Sequence, residues 1–282
     1  KLARRYFQKK GDTRRYKIIT MKQSFHGRTM ATLTATGQDK IKDGFYPLLE
    51  GFAHVPFNDL AALEAAVDDS VCAVMLEPVQ GEGGVIPADP DYLTAVREMC
   101  TQKGILLIFD EIQCGMGRTG AFFAHEHYQL APDIMTLAKA LGNGLPIGAM
   151  LATQEAATGF DLGSHASTFG GTPLATAAGL AVVNHISQTG FLDEVDSKGQ
   201  YFKQQLAQLT RTHARAVAVR GKGLLLGLEL DGNAGPFVGR MMKKGFIINA
   251  IQDKVLRFAP PLIIEKEQID QLIEALDRLL GE

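Results

Sequence analysis

Ile105-Leu106-Leu107-Ile108-Phe109 runs without one polar side chain and stops at Asp110-Glu111-Ile112-Gln113. Five apolar residues between a glycine and two carboxylates predict a strand buried on both faces, as in a parallel sheet covered by helices. Working outward, short apolar runs recur at 16–21, 71–76, 134–137 and 147–152. Between them lie helical patterns at 58–67, 91–103 and 173–187, the first with Asn58 as its expected N-cap. Strands alternating with helices predict an α/β domain over 1–190, a mostly parallel sheet sandwiched by helices.

After Thr189-Gly190 the pattern changes. A polar helix over 191–213 leads to strands near 216–219, 224–230, 246–249 and 255–258, with a closing helix over 266–280. Residues 191–282 therefore read as a smaller C-terminal α+β domain. At the other end, 1–10 reads as a helix with Leu2, Tyr6 and Phe7 on one side and no capping residue before it. That start is expected to continue a helix begun earlier, in a longer chain.

Composition narrows the classes of function. The 282 residues are 46% hydrophobic and 21% charged, as in globular domains. With a formal net charge of −2 and no Lys/Arg run, no nucleic-acid partner is expected. No apolar stretch approaches the ~18 residues of a membrane span, and no signal-peptide core follows the basic start. Cys72, Cys100 and Cys114 share no CxxC spacing, which favours a reduced, cytoplasmic protein.

Open α/β sheets bind ligands beyond the carboxyl ends of their strands. Here those ends carry Ser24-Phe25-His26-Gly27-Arg28, Glu77-Pro78, Asp110-Glu111 and Lys139. Asp110-Glu111 after an apolar strand has the form of a Walker B site, but the GxxxxGKS/T loop it requires is missing. Gly115-Met116-Gly117-Arg118-Thr119-Gly120 matches GxGxxG by letter, yet it neither follows a strand directly nor opens a helix. His125-Glu126-His127 lacks the HExxH spacing, and no metal site is expected.

Lys139 lies in Thr136-Leu137-Ala138-Lys139-Ala140-Leu141-Gly142, where burial among small apolar residues would favour the neutral amine. A neutral amine is what covalent chemistry with an aldehyde cofactor needs. A solvated lysine closing the strand end explains the same letters equally well. Asp110 shifts the balance, because a carboxylate ending an apolar strand needs a cationic partner, and a protonated cofactor ring nitrogen is one. A turn or capping aspartate remains the alternative for Asp110 alone. Phe25, Thr168 and Arg28, met singly, read equally well as core, turn and surface residues.

Six segments in order resemble the class-III aminotransferases of fold type I. They are Ser24-Phe25-His26-Gly27-Arg28-Thr29, Glu77-Pro78-Val79-Gln80-Gly81-Glu82, Asp110-Glu111-Ile112-Gln113, Thr136-Leu137-Ala138-Lys139, Ser167-Thr168-Phe169-Gly170-Gly171 and Leu256-Arg257-Phe258-Ala259-Pro260-Pro261. The resemblance implies pyridoxal 5'-phosphate as cofactor, with Lys139 forming the Schiff base and shuttling the proton. It implies Asp110 on the ring nitrogen, Phe25 and Ile112 on the ring faces and Gln113 near the phenolic oxygen. Glu111 also falls in the cofactor-binding segment, with no individual role assigned. Thr168 is implied to reach the cofactor phosphate of a second subunit, which makes the enzyme a homodimer. For substrate, the resemblance implies Ser167 and Arg28 on an acylated amino acid, and Arg257 on the carboxylate of glutamate or 2-oxoglutarate, masked by Glu82.

The implied reaction moves the terminal amino group of N2-acetylornithine to 2-oxoglutarate, in arginine or lysine biosynthesis. Ornithine, succinyldiaminopimelate and 4-aminobutyrate remain alternative donors, and a catalytically inactive binding module is the alternative of a different class. Two departures are visible. Thr172 stands where the family usually has Asn, and the family carries a further segment before Lys1 whose helix N-terminus holds the cofactor phosphate.

Overall fold

Burial alternates along the strands of the first sheet. Ile19, Val74, Leu107 and Phe109 pack to one side with Leu63, Leu93 and Val96. Ile18, Ala73 and Ile108 pack to the other with Leu2, Tyr6, Phe7 and Ala156. Period-two alternation with both sides apolar is what a sheet covered on both faces demands. These relationships come from a computed structural model that describes residues 1–282.

In chain order the early strands are β1 (Lys17–Met21), β2 (Phe52–Val55), β3 (Val71–Leu76), β4 (Val79–Gln80), β5 (Ile86–Pro87) and β6 (Leu106–Asp110). There follow β7 (Ile134–Leu137), β8 (Ala149–Ala152), β9 (Ala216–Lys222), β10 (Leu225–Leu230), β11 (Asn249–Ile251) and β12 (Val255–Phe258). The helices are α1 (Leu2–Lys9), α2 (Met30–Ala35), α3 (Leu60–Ala66), α4 (Pro90–Lys103), α5 (Gln154–Ala157), α6 (Pro173–Ile186), α7 (Phe191–Thr212), α8 (Gly235–Lys243) and α9 (Lys266–Leu280).

By compactness the chain divides into two units. One comprises Lys1–Pro78, Ala88–Gln113 and His125–Asn184; the other comprises Val79–Pro87, Cys114–Ala124 and His185–Glu282. Sequence reading divided the chain once, after residue 190. The structure divides it six residues earlier and adds two excursions, which local sequence cannot announce because tertiary contacts alone assign them.

The first unit holds a six-stranded sheet in the order β2-β1-β3-β6-β7-β8, parallel except for β8 against β7. Helices α3 and α4 cover one face and α1 and α5 the other, as the α/β reading expects. Strand β2 was not foreseen, since Phe52-Ala53-His54-Val55 is short and carries a histidine. Its pairing with β1, Ile18 opposite Phe52, makes it a strand. The expected cap Asn58 is corrected to Asp59, whose side chain accepts from Ala62 N at 2.9 Å. Asn58 sits at φ +60°, outside the helix, and accepts from Asp89 N.

The second unit holds an antiparallel sheet in the order β11-β12-β10-β9. Phe202, Leu206, Phe237, Leu256, Ile269 and Leu276 form its core with α7, α8 and α9. The strand expected at 246–249 lies at Asn249–Ile251, because register with β12 (Asn249 opposite Arg257) decides it. Gly115–Gly120 opens no helix. Arg118 Nη1 instead donates to Leu224 O and Pro260 O, and a Cβ on Gly120 would lie 2.8 Å from Asp196 Cβ. Close packing within this unit accounts for those glycines.

Candidate active site

The turn after β1 is built around two hydroxyls. Ser24 Oγ accepts from Gly37 N at 3.0 Å, and Thr36 Oγ1 accepts from His26 N at 2.8 Å. Gly37 is required there, since a Cβ would lie 2.1 Å from Met21 O. The turn is thereby fixed, with Phe25 half-buried and His26 buried. Phe25 N donates to Glu77 Oε2 at 3.0 Å, so the buried carboxylate at the end of β3 holds the aromatic residue.

Asp110, at the end of β6, is buried, and its carboxylate is held on both oxygens. His26 Nδ1 donates to Oδ2 at 2.8 Å, and Ile112 N donates to Oδ1 at 3.1 Å. The cationic partner that a buried carboxylate needs thus includes His26. Burial alone pulls the imidazolium down, but the hydrogen bond to Asp110 and the charges of Asp110 and Glu77 raise His26 above the ordinary histidine value.

Lys139 follows β7 with φ +42°, a left-handed conformation that a non-glycine residue adopts at a cost. Its Nζ stands 6.0 Å from the centroid of the Phe25 ring, and Arg28 stacks on the same ring at 5.4 Å. The expected burial of Lys139 is corrected: the residue is exposed, since exposure is set by side chains distant in sequence and not by its small neighbours Ala138 and Ala140. Ser167 and Thr168 lie exposed on the loop before α6. Glu111 is buried and accepts from His125 N at 2.8 Å; Ile112 and Gln113 are half-buried.

Phe25, Arg28, Asp110 and Lys139 therefore meet at the carboxyl ends of β1, β6 and β7. Two buried polar atoms there, His26 Nε2 and Thr136 Oγ1, have no partner. An aromatic face, a buried anionic group and a primary amine fit a flat, aldehyde-bearing cofactor with a protonated ring nitrogen. Glu82 and Arg257 belong to the second unit, with Arg257 Nη1 2.7 Å from Glu82 Oε1 and Arg257 Nε donating to Asn249 Oδ1 at 3.2 Å.

Residues 1–280 match the family described as aminotransferase class-III. The chain belongs to the class-III aminotransferases. This family uses pyridoxal phosphate, so the chain is of a pyridoxal-phosphate-dependent transaminase type. It is 53% identical to the acetylornithine aminotransferase of Caldanaerobacter subterraneus, over 100% of this chain and 72% of that protein. Identity to the enzyme of the same name from Methanocaldococcus jannaschii is also 53%, over 100% of this chain and 71% of the relative. Among solved class-III structures, ornithine aminotransferase from Toxoplasma gondii superposes with TM-score 0.94 at 30% identity, covering 99% of this chain and 68% of that one. N-acetylornithine aminotransferase from Stenotrophomonas maltophilia gives TM-score 0.83 at 35% identity, covering 99% and 71%.

What sequence reading missed at the site are supporting partners: His26 on Asp110, Glu77 on Phe25 N and Asn249 on Arg257. The placement of His26 and Glu77 at strand ends was the one hint of them. The His26 contact has a measurable consequence. Its value in the folded protein lies above the ordinary 6.5, so its stabilisation is complete below that pH and is lost as pH rises through the folded value. In urea unfolding of apo-protein, the stability advantage over His26→Gln should decline upward from about pH 6.5. Parallel curves would remove His26 as a charged partner.

Proposed function

We propose that this chain transfers the terminal amino group of N2-acetylornithine to 2-oxoglutarate, giving N-acetylglutamate semialdehyde and glutamate, as a cytoplasmic homodimer. The 53% identity to acetylornithine aminotransferases over the whole chain carries the choice of donor. Ornithine as donor is the second reading, favoured by the TM-score of 0.94 with an ornithine aminotransferase. Half-reactions of the holoenzyme with acetylornithine, ornithine and 4-aminobutyrate in parallel test it; faster turnover of ornithine would select the second reading.

Bound pyridoxal phosphate supplies an electron sink beside the substrate carbon. Lys139 is the residue that holds it covalently and then carries the proton at that carbon, a role supported by its place beside Phe25. Asp110 keeps the ring nitrogen protonated, supported by its burial and its fixed carboxylate. Phe25 and Ile112 would hold the ring, and Gln113 would bind it from the end of the same segment as Asp110. Ser167 and Arg28 contact the acylated substrate, and Arg257 takes the α-carboxylate of glutamate. Thr168 would help hold the cofactor phosphate of a second subunit. Exposed apolar side chains close in sequence, Leu162, Phe169, Leu174 and Leu180, favour such a partner.

Asp110→Asn tests the electrostatic part. The substitution removes a charge-assisted contact worth ~1.5–3 kcal/mol and lets the ring nitrogen lose its proton. Turnover should fall by roughly tenfold to hundredfold while cofactor stays attached to Lys139. Near-normal turnover would count against the ring-nitrogen role.

A further inference from the structure

Twice the chain passes from the first unit to the second just beyond a residue of the candidate site. Val79–Pro87 begins two residues after Glu77, and Cys114–Ala124 begins directly after the Asp110–Gln113 segment. At these points β3 and β6, which are neighbours in the sheet, keep only residues 77–78 and 111–113 in their own unit before the chain leaves it.

Both short stretches are contacted from one place, the 3-10 helix Ala124–Tyr128. At the re-entry point, His125 donates its backbone N–H to Glu111 Oε1 at 2.8 Å, and its Nδ1 lies 3.1 Å from the same oxygen. Three residues on, the Tyr128 hydroxyl lies 3.1 Å from Ala88 O and 3.3 Å from Pro78 O. The neck at Pro78 is further closed by Ala88 N donating to Pro78 O at 2.9 Å. His125 also packs its ring 5.9 Å from that of Phe109, one residue before Asp110.

We propose that His125 and Tyr128 are positioning residues, a clasp that fixes the ends of β3 and β6 and so sets Glu77 and Asp110. The linkage is short in each case. Glu111 sits between Asp110 and Ile112, so holding its side chain at His125 restrains the short stretch in which Ile112 N donates to Asp110 Oδ1. Pro78 follows Glu77, whose carboxylate holds Phe25 N, so the Tyr128 hydroxyl reaches the aromatic face through one peptide and one hydrogen bond. The His125-Glu126-His127 run, which has no metal-site spacing, acquires a role through its first histidine and the tyrosine that follows.

The clasp rests on the assignment of Asp110 and Lys139 proposed above, and the test separates the two. Full-length holoenzyme is reduced with borohydride, digested and mapped. A label on Lys139 upholds the site; a label elsewhere overturns the site and the clasp with it. Cofactor dissociation constants, holoenzyme absorption spectra and apo-protein melting temperatures are then measured for His125→Ala, His125→Asn and Tyr128→Phe. His125→Ala should weaken cofactor binding about tenfold and shift the absorption band, as loss of a hydrogen bond to a charged group predicts. His125→Asn, whose amide nitrogen can take the place of Nδ1, should restore binding to within about threefold of wild type. Tyr128→Phe, which removes one hydroxyl and should fold in any case, should weaken binding by roughly threefold. Lower melting temperatures with unchanged cofactor affinity and spectra, and the label still on Lys139, would overturn the clasp alone.

Discussion

Lys139→Ala protein is expected to retain no borohydride-fixed cofactor and to lose roughly 10²–10⁴-fold in amino transfer from the missing proton carrier alone. Lys139 is singled out by position, not by burial. It follows β7 at φ +42° with its amine on the side of the Phe25 ring. Lys103 ends α4 and Lys222 ends β9, each on a different element. Peptide mapping by mass spectrometry after borohydride reduction, with single-turnover rates for acetylornithine, checks both parts. A phosphopyridoxyl group on Lys103 or Lys222 would reassign the role, and near-normal turnover in Lys139→Ala would end it.

Arg257→Ala should damage the 2-oxoglutarate half-reaction by roughly 2 kcal/mol, the low end of the cost of losing one partner of a buried charge pair, because this pair is only partly buried. The acetylornithine half-reaction should suffer much less. The two substrates differ beside the reacting amine. Glutamate places an α-carboxylate beside its reacting amine, whereas acetylornithine places uncharged methylenes there. A guanidinium that suits the first would stand unpaired against the second, so a neighbouring carboxylate should cover it. Glu82 Oε1 lies 2.7 Å from Arg257 Nη1, and both side chains keep some exposure, at 15% for the arginine and 30% for the glutamate. A partly open pair can exchange Glu82 for an incoming carboxylate, while Asn249 keeps the guanidinium in place. Glu82→Ala should accordingly shift selectivity toward glutamate. Single-turnover spectra of both variants with each amino donor decide the matter, and equal losses in the two half-reactions would mark a permanent structural bridge.

Local pattern was enough for the strand at 105–109, for the α/β alternation and for the polar residues that end the strands. These follow from side-chain period and from the cost of polar groups inside an apolar layer, both carried by neighbouring residues. Lys139 was recognised because its segment resembles a family segment, while the burial argument offered for it failed: side chains distant in sequence determine exposure, and small neighbours gave no sign of it. Asn58 and Asp59 show the same limit at one residue's distance, since either side chain can cap and only backbone geometry chooses.

Sequence by itself supplied the candidates for chemistry and their order along the chain: Phe25, Asp110, Lys139 and Arg257. Tertiary structure alone decided what holds them. Eighty-four residues separate His26 from Asp110, and fifty-two separate Phe25 from Glu77. Glu82 and Arg257 are 175 apart. Hydrogen bonds across such separations arise from sheet order and strand register, and these depend on how whole layers of side chains pack rather than on any one segment.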